Sequence, residues 1–260
     1  MERIHLRYFK SNNFGDALNL LLVKFITGKK PVVRLLAKGE TENESLKKIE
    51  SYFVIGSILQ SVNQNTIVWG AGFISKEDKI KQKPKMVLAV RGPLSRKKLI
   101  EQDVKCPEVY GDPALLLPRF YKPKIKKKYK LGIVPHYVDK NSKFLEKFKK
   151  EGVLIIDIED KIKNVVKNIL RCEKIVSSSL HGIIVADAYK IPSVWAKFSE
   201  GVIGKGFKFR DYFASVGRKD KKPLVMTGKT TIKDIENQFY DYEIKIDLKK
   251  LWRACPFKRE

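Results

Sequence analysis

A strand-like run ending in Ser177-Ser178-Ser179 leads directly into Leu180-His181-Gly182, the head of an apolar helical segment. Backbone N–H groups at a helix start, joined by serine hydroxyls, make a cradle for an anion. An imidazole placed there can deliver a proton to whatever the cradle holds. The chain has three histidines. His136, in Pro135-His136-Tyr137, stands at another strand-to-helix edge in the same half of the sequence, so His136 and His181 are candidates for one site. An incidental loop histidine is the competing reading of each.

Other motifs also sit directly after strands. Asn13-Phe14-Gly15-Asp16 opens a helix: Gly15 permits close backbone approach, and Asn13 or Asp16 can cap the first turn. A sugar hydroxyl or an anion at the same helix start is the functional alternative. Trp69-Gly70-Ala71-Gly72-Phe73 is a small-residue turn without the rest of a dinucleotide fingerprint. Arg91, in Val90-Arg91-Gly92-Pro93, ends a strand where a guanidinium suits bidentate binding of phosphate or carboxylate. Gly111-Asp112-Pro113 reads as a turn before apolar core, a structural feature. In Gly204-Lys205-Gly206-Phe207-Lys208-Phe209-Arg210, two glycines and spaced cations form a mobile loop closing on a phosphate, or a solvated basic loop. The sequence carries no Walker loop, zinc-ligand spacing or Ser-His-acid order, so no metal is expected.

The elements that must position these residues follow from periodicity. Apolar runs at 4–9, 31–36, 52–55, 66–69 and 86–90 read as strands, and 13–26 and 93–102 as helices, the second opened by Pro93. A basic, proline-containing run at 119–130 has no apolar period and reads as a linker. Beyond it, strands at 131–134, 153–158, 174–177 and 193–196 alternate with helices at 141–151, 161–171 and 180–189. Such alternation implies parallel sheets with helices on both faces. The expected fold is therefore α/β, two Rossmann-type lobes around a cleft, divided as residues 1–122 and 123–260. Ligands in such folds bind at the carboxyl ends of the strands. The tail at 248–260 mixes large apolar residues with cations, either a final helix packed on a lobe or a weak interfacial anchor.

Composition sets the outer bounds. With 260 residues, 43% hydrophobic and 32% charged, the chain is globular. No apolar run reaches the ~20 residues that span a bilayer, and charges interrupt the first residues where a signal peptide needs an apolar stretch. The three cysteines are widely spaced and suit a reducing compartment, so the expected location is the cytoplasm. The net charge of +25 is mostly dispersed lysine. It reads either as a solvated surface or as attraction to anionic partners, including the inner face of the cytoplasmic membrane. Zinc-finger spacing, RNP-type aromatics and Arg-rich segments are missing, so nucleic acid is not an expected partner.

Taken together, Asn13-Phe14-Gly15-Asp16, Trp69-Gly70-Ala71-Gly72, Val90-Arg91, Gly111-Asp112-Pro113-Ala114 and Ser178-Ser179-Leu180-His181-Gly182 with Pro192 resemble the polysaccharide pyruvyltransferase family, in its order of motifs. The resemblance implies a GT-B-like fold and a transferase that moves pyruvate from phosphoenolpyruvate onto sugar hydroxyls as a ketal. Such reactions serve capsule, exopolysaccharide or cell-wall polymer synthesis. It implies phosphoenolpyruvate as co-substrate with no further cofactor, a saccharide acceptor that is lipid-linked in many members, an acceptor side in the first lobe and a donor side in the second. By the same resemblance His181 falls on the family's general acid; for the base that takes the sugar proton, Asp16 is the candidate among this chain's own residues. Asn13, Gly15, Arg91, His136, Ser177, Ser178, Ser179, Gly182, Lys208 and Arg210 are the candidate substrate ligands. Many members carry Arg where this chain has Ser179, and Arg91, Lys208, Arg210 and His136 are the expected compensation. The alternatives are a GT-B glycosyltransferase using a nucleotide sugar, for which Glu200 is the one candidate ribose ligand, and a non-enzymatic basic protein that binds anions.

Overall fold

The computed structural model describes residues 3–9, 14–36, 48–142 and 144–258. The first half runs β1 (His5–Phe9), α1 (Phe14–Thr27), β2 (Val32–Leu36), β3 (Ser51–Phe53), β4 (Thr66–Trp69), β5 (Met86–Ala89), α2 (Pro93–Ile100) and a 3-10 segment (Pro113–Arg119). The second half runs β6 (Tyr129–Val134), α3 (Leu145–Lys150), β7 (Leu154–Ile155), α4 (Ile162–Leu170), β8 (Cys172–Ser177), α5 (Leu180–Ala188) and β9 (Ser193–Lys197). It closes with α6 (Phe207–Ser215), β10 (Leu224–Val225), α7 (Ile232–Glu236) and α8 (Leu248–Arg253).

These strands are short and apolar because both faces are covered. Every residue of β4 is buried, as are Leu131 to Val134 of β6, the pattern of a parallel strand with helices on either side. The helices show the complementary stripe: α1 buries Leu18, Leu22 and Val23, and α4 buries Val165, Val166 and Ile169 while its lysines face water. Some elements are shorter than their sequence signals. The expected strand at 153–158 reduces to Leu154–Ile155, paired to β6 alone at the edge of its sheet.

The strands form two five-stranded sheets, β2-β1-β3-β4-β5 and β10-β9-β8-β6-β7, with all pairings parallel. Relative to its own first strand, each sheet has the same doubly wound order. Each therefore has a switch point, between β1 and β3 in one and between β6 and β8 in the other, where crossovers diverge and leave a crevice at the carboxyl ends. This is the GT-B-like, two-lobed Rossmann-type arrangement read from the sequence. Residues 120–128 connect the 3-10 segment to β6.

The chain then crosses back. The Trp69 indole N–H donates to the Leu251 carbonyl at 3.0 Å, and Phe257 packs edge-on against Tyr52 and Trp69. The terminal helix is thus packed on the first sheet. On the way, Tyr242 joins a buried cluster in which Arg218 donates to Asp187 at 2.9 Å, both side chains being 0% exposed. Among the described residues no helix is long and apolar enough to cross a membrane.

Candidate active site

The two switch points meet. After β1, α1 begins with Phe14, Gly15 and Asp16; after β8, the serine run leads into α5, which begins with Leu180 and His181. Gly15 lies against the imidazole of His181: a methyl group there would overlap Nδ1 and Cε1. The glycine is therefore required by a packing contact between lobes. Asn19, one turn further along α1, exchanges hydrogen bonds with the backbone of Ile55 at 2.8 and 2.9 Å and fixes α1 on the loop after β3. Asp16 is half-buried beside Gly56, and its charge, after burial, pushes the Tyr8 phenol up. Asn13 lies outside the described residues.

The other edge of His181 faces a residue that the sequence had offered only as part of a turn. His181 Nε2 is 3.5 Å from Asp112 Oδ2, with the aspartate 1% exposed. Asp112 caps the 3-10 segment, and its Oδ1 accepts the Ala114 N–H at 2.9 Å. Pro113 at the first helical position has no N–H, which makes Ala114 the first donor available to the cap. No local sequence signal links Asp112 to a histidine 69 positions later.

The serine run is positioned differently from the expected hydroxyl cradle. Ser177 Oγ lies 2.9 Å from Val134 O and 2.8 Å from Ser179 O, and it accepts the Ser179 N–H at 3.0 Å. Ser178 Oγ accepts the His136 N–H at 2.8 Å and donates to Asp139 at 3.3 Å. These hydroxyls are committed to the backbone and to Asp139, so they build the turn and hold the His136 loop. Ser179 is the N-cap of α5 with no side-chain capping bond. Gly182 allows α5 to close on Ser177 and Val134.

His136 is buried, and burial together with the charges of Lys208 and His181 pushes its imidazole down to about 3. At any ordinary pH it is a neutral donor and acceptor, supplying polarity and no charge. Lys208, in α6, is half-buried over the same place. Burial first, and the Arg91 guanidinium second, press its ammonium down to about 8, while Asp16 acts in the opposite sense.

Arg91 itself is not presented to an open pocket. It is 1% exposed, pairs with Asp211 at 3.0 Å, and donates to Ser57 Oγ at 2.6 Å and Phe73 O at 2.5 Å. Asp211, from α6, also accepts the Ser95 N–H and hydroxyl at 2.9 and 2.6 Å. This pair docks α6 on the first lobe, and Lys208 lies one turn earlier on the same helix. Arg210 donates to the Lys205 carbonyl at 2.8 Å, within its own loop. That loop is packed at both glycines: Gly204 against the Ile74 carbonyl, and Gly206 against Trp195.

One place therefore gathers Gly15, Asp16, Asp112, His136, His181 and Lys208, with Arg91 behind it. It combines a histidine held between a glycine and a carboxylate, a cation of adjustable charge and a neutral imidazole. Such a set can bind an anion and pass a proton. Among the described residues no group of three or more His, Cys, Asp or Glu converges as a metal site would require. Among the described residues, one surface cavity lies beside β7 and another beside Asp187 and Tyr242.

Comparison with known proteins bears on what this set does. The chain matches the family described as polysaccharide pyruvyl transferase over residues 13–196. It is 32% identical over 224 residues to an uncharacterized protein of Acanthamoeba polyphaga mimivirus, covering 83% of this chain and 75% of that protein. It is 30% identical over 246 residues to the succinoglycan biosynthesis protein ExoV of Rhizobium meliloti, covering 90% of this chain and 72% of the relative. No solved structure matches it. The matched span includes Gly15, Asp16, Arg91, Asp112, His136 and His181, while Lys208, Arg210 and Asp211 lie beyond it.

Proposed function

The chain belongs to the polysaccharide pyruvyl transferase family, and we propose that it moves pyruvate from phosphoenolpyruvate onto two hydroxyls of a saccharide acceptor. The product is a cyclic ketal, and inorganic phosphate is released. The observation that carries this reading is the convergence of His181, His136 and Lys208 at the meeting of two switch points, where an anion and a proton donor are needed together.

The chemistry divides among these residues. His181 gives a proton to the methylene carbon of the donor, which becomes a methyl group and leaves an oxocarbenium centre at the adjacent carbon. A sugar hydroxyl adds there, phosphate departs, and a second hydroxyl closes the ring. The two hydroxyl protons replace the one delivered to carbon and the one that leaves on phosphate, so the reaction balances without net proton change. Lys208 and the start of α5 hold the donor's anionic groups. Arg91 adds positive field from behind through its buried pair. His136 donates or accepts as a neutral group, and Asp16 takes the proton of the attacking hydroxyl. The second lobe is then the donor side and the first, with Asp16, the acceptor side, with a division near residue 122. A lipid-linked acceptor would bring the basic surface to an anionic membrane face.

Calorimetric titration with phosphoenolpyruvate tests the donor, and phosphate release on adding saccharide acceptors tests the reaction. The expected result is saturable donor binding by the wild type and loss of turnover in His181→Ala. Binding of a nucleotide sugar with none of phosphoenolpyruvate would overturn the proposal.

A further inference from the structure

The geometry points to Asp112 as the positioning residue of the His181 acid: it fixes which ring nitrogen carries the proton toward the cleft. This rests on the reading of His181 as the proton donor in pyruvyl transfer. Three observations support it.

The first is the fixed aim of the carboxylate. Oδ1 is committed to the Ala114 N–H at 2.9 Å, which leaves Oδ2 directed at His181 Nε2, 3.5 Å away. Nε2 is buried and makes no hydrogen bond of ordinary length. Catalytic contacts of this kind are often long before substrate binds and tighten afterwards. With Asp112 accepting from Nε2–H, Nδ1, on the Gly15 side of the ring, is the nitrogen left to exchange a proton.

The second is the support behind the turn. Gly70 has φ +100° and packs on the Pro113 ring, while Gly111 has φ +125° and stands 2.8 Å from Ile246 Cδ1 and 3.0 Å from Leu251 Cδ2 by the position a Cβ would take. A side chain at either glycine would displace the turn. The Trp69 loop and the terminal helix thus clamp Asp112 from both sides.

The third is charge. Besides burial, Lys208 and His181 both press the His136 imidazole down, so a protonated His181 stands within reach of other positive charge. Asp112 is the carboxylate paired with it across that cluster, and it offsets the repulsion.

Asp112→Asn separates positioning from architecture. Asparagine caps a helix as well as aspartate does. To keep the Ala114 bond its amide oxygen must take the Oδ1 position, so its NH2 group faces Nε2 and reverses the preferred tautomer. The readout is 15N NMR of the free protein labelled at histidine. With only three histidines, His181 is assigned by comparison with His181→Gln. The expected wild-type pattern has the proton on Nε2. In Asp112→Asn it moves to Nδ1, kcat falls about 100-fold or more, and KM for phosphoenolpyruvate stays within about threefold. Asp112→Ser, which also caps, serves as the second variant should the first fold poorly. It should lose the tautomer preference and activity together.

An unchanged His181 tautomer in both variants overturns the proposal, even if activity falls. A tautomer that reverses in a protein whose wild type releases no phosphate from phosphoenolpyruvate would sink the pyruvyl-transfer reading and leave the positioning role standing.

Discussion

Gly15, at the start of α1, packs against the His181 imidazole at the start of α5 so closely that one added methyl group would overlap the ring. Two helix starts from opposite lobes share that point, and the position of the imidazole depends on both. Gly15→Ala should therefore cost function far more than stability. A helical alanine normally gains about 0.5–1 kcal/mol over glycine, but overlap with a buried ring costs about 1–3 kcal/mol, so the urea midpoint should fall modestly. The methyl group must push the imidazole off Asp112, and kcat should drop by about 100-fold, as small misplacements do. Kinetics alongside urea unfolding decide it. A fully active Gly15→Ala would mean that the observed ring position is not the reactive one.

Donor affinity should depend on pH through Lys208. Burial and Arg91 press its ammonium down to about 8. A lysine lowered in this way is charged below that pH and neutral above it. KM for phosphoenolpyruvate should thus be flat at neutral pH and climb as pH rises through about 8, approaching about tenfold per pH unit. Lys208→Arg should remove the climb by keeping the charge, and Lys208→Met should give a high, flat KM. A wild-type KM that does not change between about pH 7 and about pH 9.5 would exclude Lys208 as a donor ligand.

The pair between Arg91 and Asp211 should matter chiefly to stability. Both side chains are almost wholly buried, and Asp211 also serves Ser95. Removing one partner leaves a charge without compensation in a site closed to water, so Asp211→Ala should cost about 3–5 kcal/mol. That is a large part of the ~5–15 kcal/mol typical of a native protein. Urea denaturation gives the number. A change below about 1 kcal/mol would mean that water reaches the pair after all.

The serine hydroxyls offer a sharp contrast between cradle and scaffold. As scaffold, Ser177→Ala and Ser178→Ala should each lower stability by about 1–3 kcal/mol, because buried backbone groups lose their partners. Donor binding should change only secondarily, through the His136 loop. Intact stability with weakened phosphoenolpyruvate binding would show instead that the hydroxyls bind the anion.

Much of this was legible in the order of residues. The apolar run at 66–69 placed strand β4 to the residue, because a strand buried on both faces is apolar throughout; β6 and β8 each begin two residues earlier than expected, where the exposed Lys130 and Glu173 break the apolar run. His181, Gly15, Lys208 and His136 could be picked out because each sits next to a strand end or a glycine turn. Asp112 could not: its signal, a cap before proline, is the same whether or not a histidine stands beside it. The length of α3 was overestimated for a related reason, since residues 137–142 turn through bonds such as Ser142 N–H to Asp139 O before the helix starts.

The sequence by itself determined the local conformations, the two repeats of alternating strand and helix, and the chemical types available at each strand end. Those follow from backbone hydrogen bonding and from the period of apolar residues, which act over a few positions. Tertiary structure decided the partners. It gave Arg91 to Asp211 across 120 positions, turned the serine hydroxyls inward, and set Asp112 and Gly15 on either edge of His181. Such pairings depend on how two lobes dock, and docking is fixed by summed shape and charge over whole surfaces, which no short stretch of sequence encodes.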